Sequence, residues 1–375
     1  MIDLAALRRW PDVEAAGLTA SDAADRLLLD ESTEARTGLG DGDIVVINDA
    51  YGALALGAAD AGATGIRVHQ DLITGERALA ANARACGLGD RVRSLALDAS
   101  LVDGARLVLL RLPRSLAALA DISGLIAAHA HPDVVVFAGG RLKHMTTAMN
   151  DVLRQRFTRL DVSHARQKSR VLIARGPRDG GDPEPAREQH DGMTVCAYGG
   201  AFAGPRIDIG TRLLLANLPD EVPSGGPGDL VVDLACGTGV IATALAMRHP
   251  HVRVHASDAS AAAVASARAT AEANGVSARV RVARDDALSG LPDGVAGMIA
   301  LNPPFHSGAA VTDALAPRLF ADAARVLKPG GELWCVWNSP LHYRSALERL
   351  VGPTRQVARN AKFTVTVSTR RSPGR

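Results

Sequence analysis

Short apolar runs bounded by turn residues recur in both halves of the chain. Asp43-Ile44-Val45-Val46-Ile47, Asp229-Leu230-Val231-Val232 and Met298-Ile299-Ala300-Leu301 are of strand length and carry almost no polar position. Such runs predict strands buried on both faces, as in a parallel sheet covered by helices. Alanine-rich segments lie between them. Two of these, residues 80–87 and 265–275, close at Gly87 and Gly275, the residue type that commonly follows a helix end. Arg325-Val326-Leu327-Lys328-Pro329-Gly330-Gly331-Glu332-Leu333 reads as helix, turn and strand. The alternation predicts βαβ units and an α/β, Rossmann-like architecture in each half.

The halves match one another. Asp43 to Ile47 leads into Asn48-Asp49-Ala50-Tyr51-Gly52, and Asp229 to Val232 leads into Asp233-Leu234-Ala235-Cys236-Gly237-Thr238-Gly239. Arg67-Val68-His69 then parallels Arg253-Val254-His255, with an acid following at Asp71 or Asp258, and the run from Arg91 to Asp98 parallels that from Arg279 to Asp286. The expectation is a duplication, with a first domain at 1–178, a Pro- and Gly-rich linker at 179–190 and a second domain at 191–375. Where the second half has Leu301-Asn302-Pro303-Pro304-Phe305, the first has Leu110-Arg111-Leu112-Pro113-Arg114, and one of the two turn glycines is missing. The first copy is therefore expected to be chemically silent, kept for structure or for holding substrate.

Composition narrows the class. With 375 residues and 47% hydrophobic content the chain can fill two cores. No apolar run approaches a membrane span and the first residues lack a basic segment leading into an apolar one, so a cytoplasmic protein, away from membranes and monomeric, is expected. Cys86, Cys196, Cys236 and Cys335 show no CxxC spacing, which points to reduced thiols and no metal site. Net charge is only +2, but eight basic residues between Asn150 and Arg178 face two acids, Asp151 and Asp161. That run is either a phosphate-binding surface or a solvated face.

The chemistry concentrates in the second half. Gly237 and Gly239 allow a backbone turn to approach a ligand, and Asp233 is placed to take a ligand ammonium directly or through water. Asp258, at the end of the next strand, can accept both hydroxyls of a ribose, and Asp286 is placed for an adenine amine, with Asp285 as the competing residue. No G-x-G-x-x-G accompanies them, which disfavours NAD. Asn302-Pro303-Pro304-Phe305 supplies what a flat, neutral amine needs. Its lone pair is delocalised, so it requires positioning more than deprotonation. The Asn302 side-chain oxygen and the Pro303 carbonyl can accept its N–H groups, Pro303 and Pro304 stiffen the turn, and Phe305 offers a stacking face. Together these residues predict an S-adenosylmethionine (AdoMet) dependent amino-group methyltransferase. Phe202 and Asp208 are further candidate cofactor contacts, Leu213 to Leu215 are expected in the core, and His306 has a positioning or packing role.

Over nearly its whole length the chain resembles the bacterial ribosomal RNA guanine-N2 methyltransferases of the RsmC and RlmG type. The resemblance rests on the stretch from Phe202 to Leu215, Asp233 to Gly239, Asn302 to His306 with Gly308, Lys328 to Leu333, Asn338 with Leu341-His342-Tyr343, Lys362-Phe363, and Gly140 to Thr146 in the first half. It implies tandem class I methyltransferase folds, a degenerate first copy, and transfer from AdoMet to the exocyclic N2 of a guanine in 16S or 23S RNA, free or within a ribosomal subunit. Ala203 departs from the serine often found there. Three rivals remain: glutamine methylation of a protein, adenine or cytosine amino-methylation, and a noncatalytic RNA-binding assembly factor.

Overall fold

The structure, a computed structural model, describes residues 2–226, 228–304 and 309–372, and of residues 309–313 the backbone alone. It divides into two units, Met1–Glu184 and Pro185–Arg375. In the first, strands β1 (Ile44–Ile47), β2 (Ile66–His69), β3 (Val92–Ser94), β4 (Leu107–Arg111), β5 (Val135–Arg141), β6 (Phe157–Val162) and β7 (Ser169–Pro177) form one sheet in the order β3-β2-β1-β4-β5-β7-β6. The first five run parallel, and β7 is antiparallel to both β5 and β6. Ile44 and Val46 pack with the helices Ala23–Glu31, Ala53–Asp60 and Ile73–Ala85, while Val45 and Ile47 face the opposite cluster under Leu116–His129. Burial on both faces explains why the strand is apolar at every position, each such side chain contributing about 1.5–3 kcal/mol.

The second unit opens with a hairpin, β8 (Ala186–His190) and β9 (Met193–Ala197). A second seven-stranded sheet follows, made of β10 (Leu230–Leu234), β11 (Val254–Asp258), β12 (Val280–Arg284), β13 (Ala296–Leu301), β14 (Leu327–Asn338), β15 (Thr354–Arg359) and β16 (Phe363–Thr369). Its order, β12-β11-β10-β13-β14-β16-β15, reproduces that of the first sheet strand for strand. The hairpin is tied to the helix Ala261–Ala273 and the residue after it by hydroxyl and amide groups. Ser266 Oγ accepts from Tyr198 N, Thr270 Oγ1 from Cys196 N, and Asn274 Oδ1 from Thr194 N.

Residues 179–190, expected as a linker, are structured on either side of the unit break. Gly181 N–H donates to Gly124 O at 3.1 Å and His129 meets Asp182 at 2.7 Å, whereas residues 186–190 form β8.

Strand register fixes which residues of the two copies correspond. Ile47 pairs with His69 and Leu110, and Leu234 pairs with Ser257 and Leu301. Gly52 and Gly239 each precede a helix with φ of 103° and 74°. Hence Gly52 matches Gly239, Ala50 matches Gly237, and Arg111 matches Asn302. The Arg-Val-His match on the second strand is two residues out of step, because Arg67 stands at the position of His255. An even shift keeps every side chain on its face, so the pattern of polar and apolar residues conceals it. The counterpart of Asp258 is accordingly Gln70, correcting the expected Asp71.

Candidate active site

Strand β10 and the turn after it hold most of the glycine-loop residues. Asp233 is fully buried; its Oδ2 accepts the N–H of Ala242 at 2.9 Å, pinning the first turn of the helix Val240–Arg248 to the strand. Its Oδ1 is buried without a hydrogen-bond partner among the described residues. Burial pushes this carboxyl up to about 7, the neighbouring Asp258 charge adding to the effect. Gly237 and Gly239, expected to play one role, differ. A β-carbon at Gly237 (φ 53°) would meet nothing within 4 Å, leaving open space beside the turn. One at Gly239 would lie 2.8 Å from Ala267 Cβ, so that glycine serves the approach of two helices as well.

Asp258 sits at the end of β11 with Oδ2 on the Gly237 N–H and Oδ1 on the Ser260 N–H, both at 2.9 Å. The carboxylate thereby shapes the glycine turn. The Asp285 carboxylate accepts from Asp286 N at 2.8 Å, Ser289 Oγ at 2.5 Å and Gly290 N at 2.7 Å, closing the turn after β12. Asp286 pairs with Arg318. Phe202 is exposed on the segment before the helix Ile209–Leu215. Leu214 and Leu215 are buried and Leu213 packs against the same cluster.

Asn302 follows β13 directly. Its Nδ2 donates to Asp208 Oδ2 at 3.1 Å and to Thr211 Oγ1 at 2.9 Å, and its Oδ1 is buried with no partner among the described residues. Asp208 is the N-cap of the helix Ile209–Leu215, where its Oδ2 also takes the N–H groups of Gly210 and Thr211. The strand end and the helix start are thus clamped together, with the amide turned so that an acceptor is left over. Pro303 is buried and Pro304 exposed, while Phe305, His306 and Gly308 lie outside the described residues. Thr211 was not among the residues expected from the sequence. The signal was present, since Asp208-Ile209-Gly210-Thr211 before an apolar run is a helix-start signature.

The first copy shows how the same place has been filled. Arg111, at the position of Asn302, makes ion pairs with Asp22 at 2.8 Å and Asp25 at 3.0 Å. Asp22 is the N-cap of the helix Ala23–Glu31 and Asp25 lies in its first turn, the stations that Asp208 and Thr211 hold in the second copy. Desolvation raises the Asp25 carboxyl to about 6 despite the guanidinium beside it. Gln70, at the position of Asp258, donates to the carbonyls of Asp49 at 2.5 Å and Gly75 at 3.0 Å, inside the turn where a ligand would need room. Tyr51 adds a bulky ring that is covered by Arg9 at 4.5 Å and bonded to Asp12 at 2.5 Å. No group of three or more His, Cys, Asp or Glu placed to hold a metal occurs among the described residues, and no helix there is long and apolar enough to cross a membrane.

Two sheets of identical strand order, one ending in an open glycine turn, an acidic strand end and an Asn-Pro-Pro segment, define a tandem α/β methyltransferase. Residues 192–367 match the family described as methyltransferase small domain, and residues 3–178 match the RLMG N-terminal domain. The chain belongs to the ribosomal RNA large subunit methyltransferase G family. Proteins of that name from Streptomyces coelicolor and Pseudomonas aeruginosa are each 35% identical, with 96% of this chain and 96% of theirs covered. The one from Shewanella amazonensis is 33% identical over 96% of this chain and 94% of its own. Among solved structures, the 16S rRNA N2 methyltransferase RsmC of T. thermophilus, in complex with AdoMet and guanosine, superposes with a TM-score of 0.73 at 22% identity, covering 93% of this chain and 92% of that one. At that identity the likeness concerns the fold.

Proposed function

We propose that this chain is a cytoplasmic, monomeric enzyme that transfers a methyl group from AdoMet to the exocyclic N2 amine of a guanine in ribosomal RNA. The names of the curated relatives favour RNA of the large subunit. The observation that carries the reading is the buried, unpartnered Oδ1 of Asn302, held in place by Asp208 and Thr211. An acceptor without a donor in a buried position is costly unless a ligand supplies the donor. A neutral amine does so.

The second copy also fits AdoMet. Open space beside Gly237, the Asp258 carboxylate bonded to that turn and the buried free oxygen of Asp233 suit a molecule with an ammonium group and a ribose. Asp258 would take the ribose hydroxyls, Asp233 would answer the ammonium, Asp286 would meet the adenine amine, and Phe202 would cover the bound molecule. When bound, AdoMet supplies a methyl group made electrophilic by its sulfonium sulfur. Asn302 Oδ1 and the Pro303 carbonyl would accept the two N–H groups of the guanine amine, turning its lone pair out of conjugation. Pro304 and Phe305 would complete the wall against which the base rests. The nitrogen sheds one proton as the N–C bond forms. An aryl-ammonium proton is acidic enough to leave to water, so a strong general base is unnecessary.

Asn302→Ala should abolish transfer and leave AdoMet binding nearly intact. Loss of one preorganised contact of this kind costs about two to three orders of magnitude in rate. Near-parental turnover of the variant on ribosomal RNA would sink the assignment.

A further inference from the structure

The helix Ala309–Val326 lays one face against the turn after β12. Three side chains on that face, at positions i, i+4 and i+7, hold the turn. Arg318 pairs with Asp286, and Asp322 Oδ2 accepts the Leu288 N–H at 2.7 Å. Arg325 donates to the carbonyls of Leu288 and Leu291, both at 2.8 Å, and to Asp293 at 2.7 Å.

The turn is anchored from β11 as well. Asp285 N–H donates to Asp258 O at 2.9 Å and Ser257 Oγ to Ala287 O at 2.7 Å, which lays Asp286 beside the strand end that carries Asp258. Ala287 stands at φ 56°, a left-handed conformation that an alanine keeps where its surroundings impose it. The two neighbouring acids then take different parts. Asp285 uses its carboxylate on Asp286 N, Ser289 Oγ and Gly290 N, within the turn itself. Asp286 is met from outside the turn, its Oδ2 accepting from Arg318 Nη2. Asp286 is buried and Arg318 half-buried. A buried carboxylate that swings away from its guanidinium leaves both charges uncompensated, so the pair fixes the rotamer of Asp286.

We propose that Arg318 is a positioning residue for cofactor recognition, setting the orientation in which Asp286 accepts the exocyclic amine of the AdoMet adenine. The preference of the site for an aminopurine over an oxopurine then depends on Arg318, because an oxo group in place of the amine would set one acceptor against another. The inference rests on the AdoMet-dependent reading above, with Asp286 as its adenine contact, and adds the group that makes this contact selective.

The test is calorimetric binding of S-adenosylhomocysteine and S-inosylhomocysteine, which carry an amino and an oxo group, respectively, at the same purine carbon. The parent should prefer the first by about 10- to 100-fold, the range of one hydrogen bond to a charged group. Arg318→Gln and Arg318→Met, the second keeping the apolar stem, should each cut that preference by about fivefold or more, and Arg318→Lys should restore part of it. In Asp286→Asn the amide can turn either its donor or its acceptor to the purine, so the preference should all but vanish. Arg325→Gln breaks the same clamp farther along the helix; it should lower the melting temperature and leave the preference at its parental value. A parental preference in either neutral Arg318 variant, beside a lost one in Asp286→Asn, overturns the role of Arg318 alone. An equal loss in Arg325→Gln overturns it too, since rigidity of the turn would then suffice. A parental preference in Asp286→Asn refutes Asp286 as the adenine contact and the proposal with it, whereas a parent that binds neither ligand refutes the AdoMet reading itself and everything that rests on it.

Discussion

Thr211→Val isolates the clamp that orients Asn302. The substitution keeps the shape of the side chain and deletes the hydroxyl that accepts Asn302 Nδ2 at 2.9 Å, leaving the bond to Asp208 at 3.1 Å. A neutral hydrogen bond is worth about 1 kcal/mol net, which corresponds to about a fivefold change in rate if it serves only to hold the amide in its productive orientation. Asp208→Asn keeps a competent N-cap but replaces a charge-assisted bond worth about 1.5–3 kcal/mol, so a loss of about 10- to 100-fold is expected. Asn302→Ala lies beyond both. The assay is single-turnover methyl transfer to ribosomal RNA, with AdoMet affinity measured in parallel by calorimetry, and Thr211→Ser should restore the parental rate. Rates that do not fall in this order would refute the clamp. An AdoMet affinity that falls in step with the rate in Asp208→Asn would return Asp208 to the role of a cofactor contact, the expectation drawn from the sequence.

Calorimetry should find one AdoMet site per chain, lost in Asp258→Ala and unaffected by Gln70→Ala; a second site would contradict the closed state of the first copy. AdoMet affinity should depend on the ionisation of Asp233. Burial holds its carboxyl at about 7, and a ligand ammonium favours the charged form, so affinity should rise as pH increases toward 7 and level off above it. In Asp233→Asn the profile should be flat, and a flat parental profile would exclude contact with the ammonium. Gly239→Ala should destabilise the fold by about 1–3 kcal/mol through its collision with Ala267 and its positive φ, read as a drop in melting temperature. Gly237→Ala, with no neighbour in reach, should cost about 1 kcal/mol or less in stability while weakening AdoMet binding; equal melting losses in the two variants would refute the distinction.

Strand ends carrying apolar runs were legible in the sequence because burial on both faces leaves an unmistakable pattern, and the duplication followed from the order of those runs. Register was less legible. The acid after each Arg-Val-His suggested Asp71 as the partner of Asp258, although the two stand at different distances from that match, and only strand pairing shows Gln70 there. Asn302 was visible as a motif, but its dependence on Thr211 was not, since the two residues meet only when a strand end closes on a distant helix start. Charge pairing was hidden for a similar reason: counting arginines from Asn150 to Arg178 cannot reveal that Asp161 lies between Arg159 and Arg175.

The closed state of the first copy resists single reversion. Arg111 requires Asp22 and Asp25 around it, and those two acids, close to the buried Asp49, in turn require Arg111. Reverting Arg111 to asparagine alone would strand negative charge in a half-buried place, a change that typically costs about 3–5 kcal/mol and restores nothing, because Gln70 would still fill the turn. The single change at Arg111 is thus expected to lower stability without restoring activity, so the silence of the first copy depends on Arg111 and Gln70 jointly.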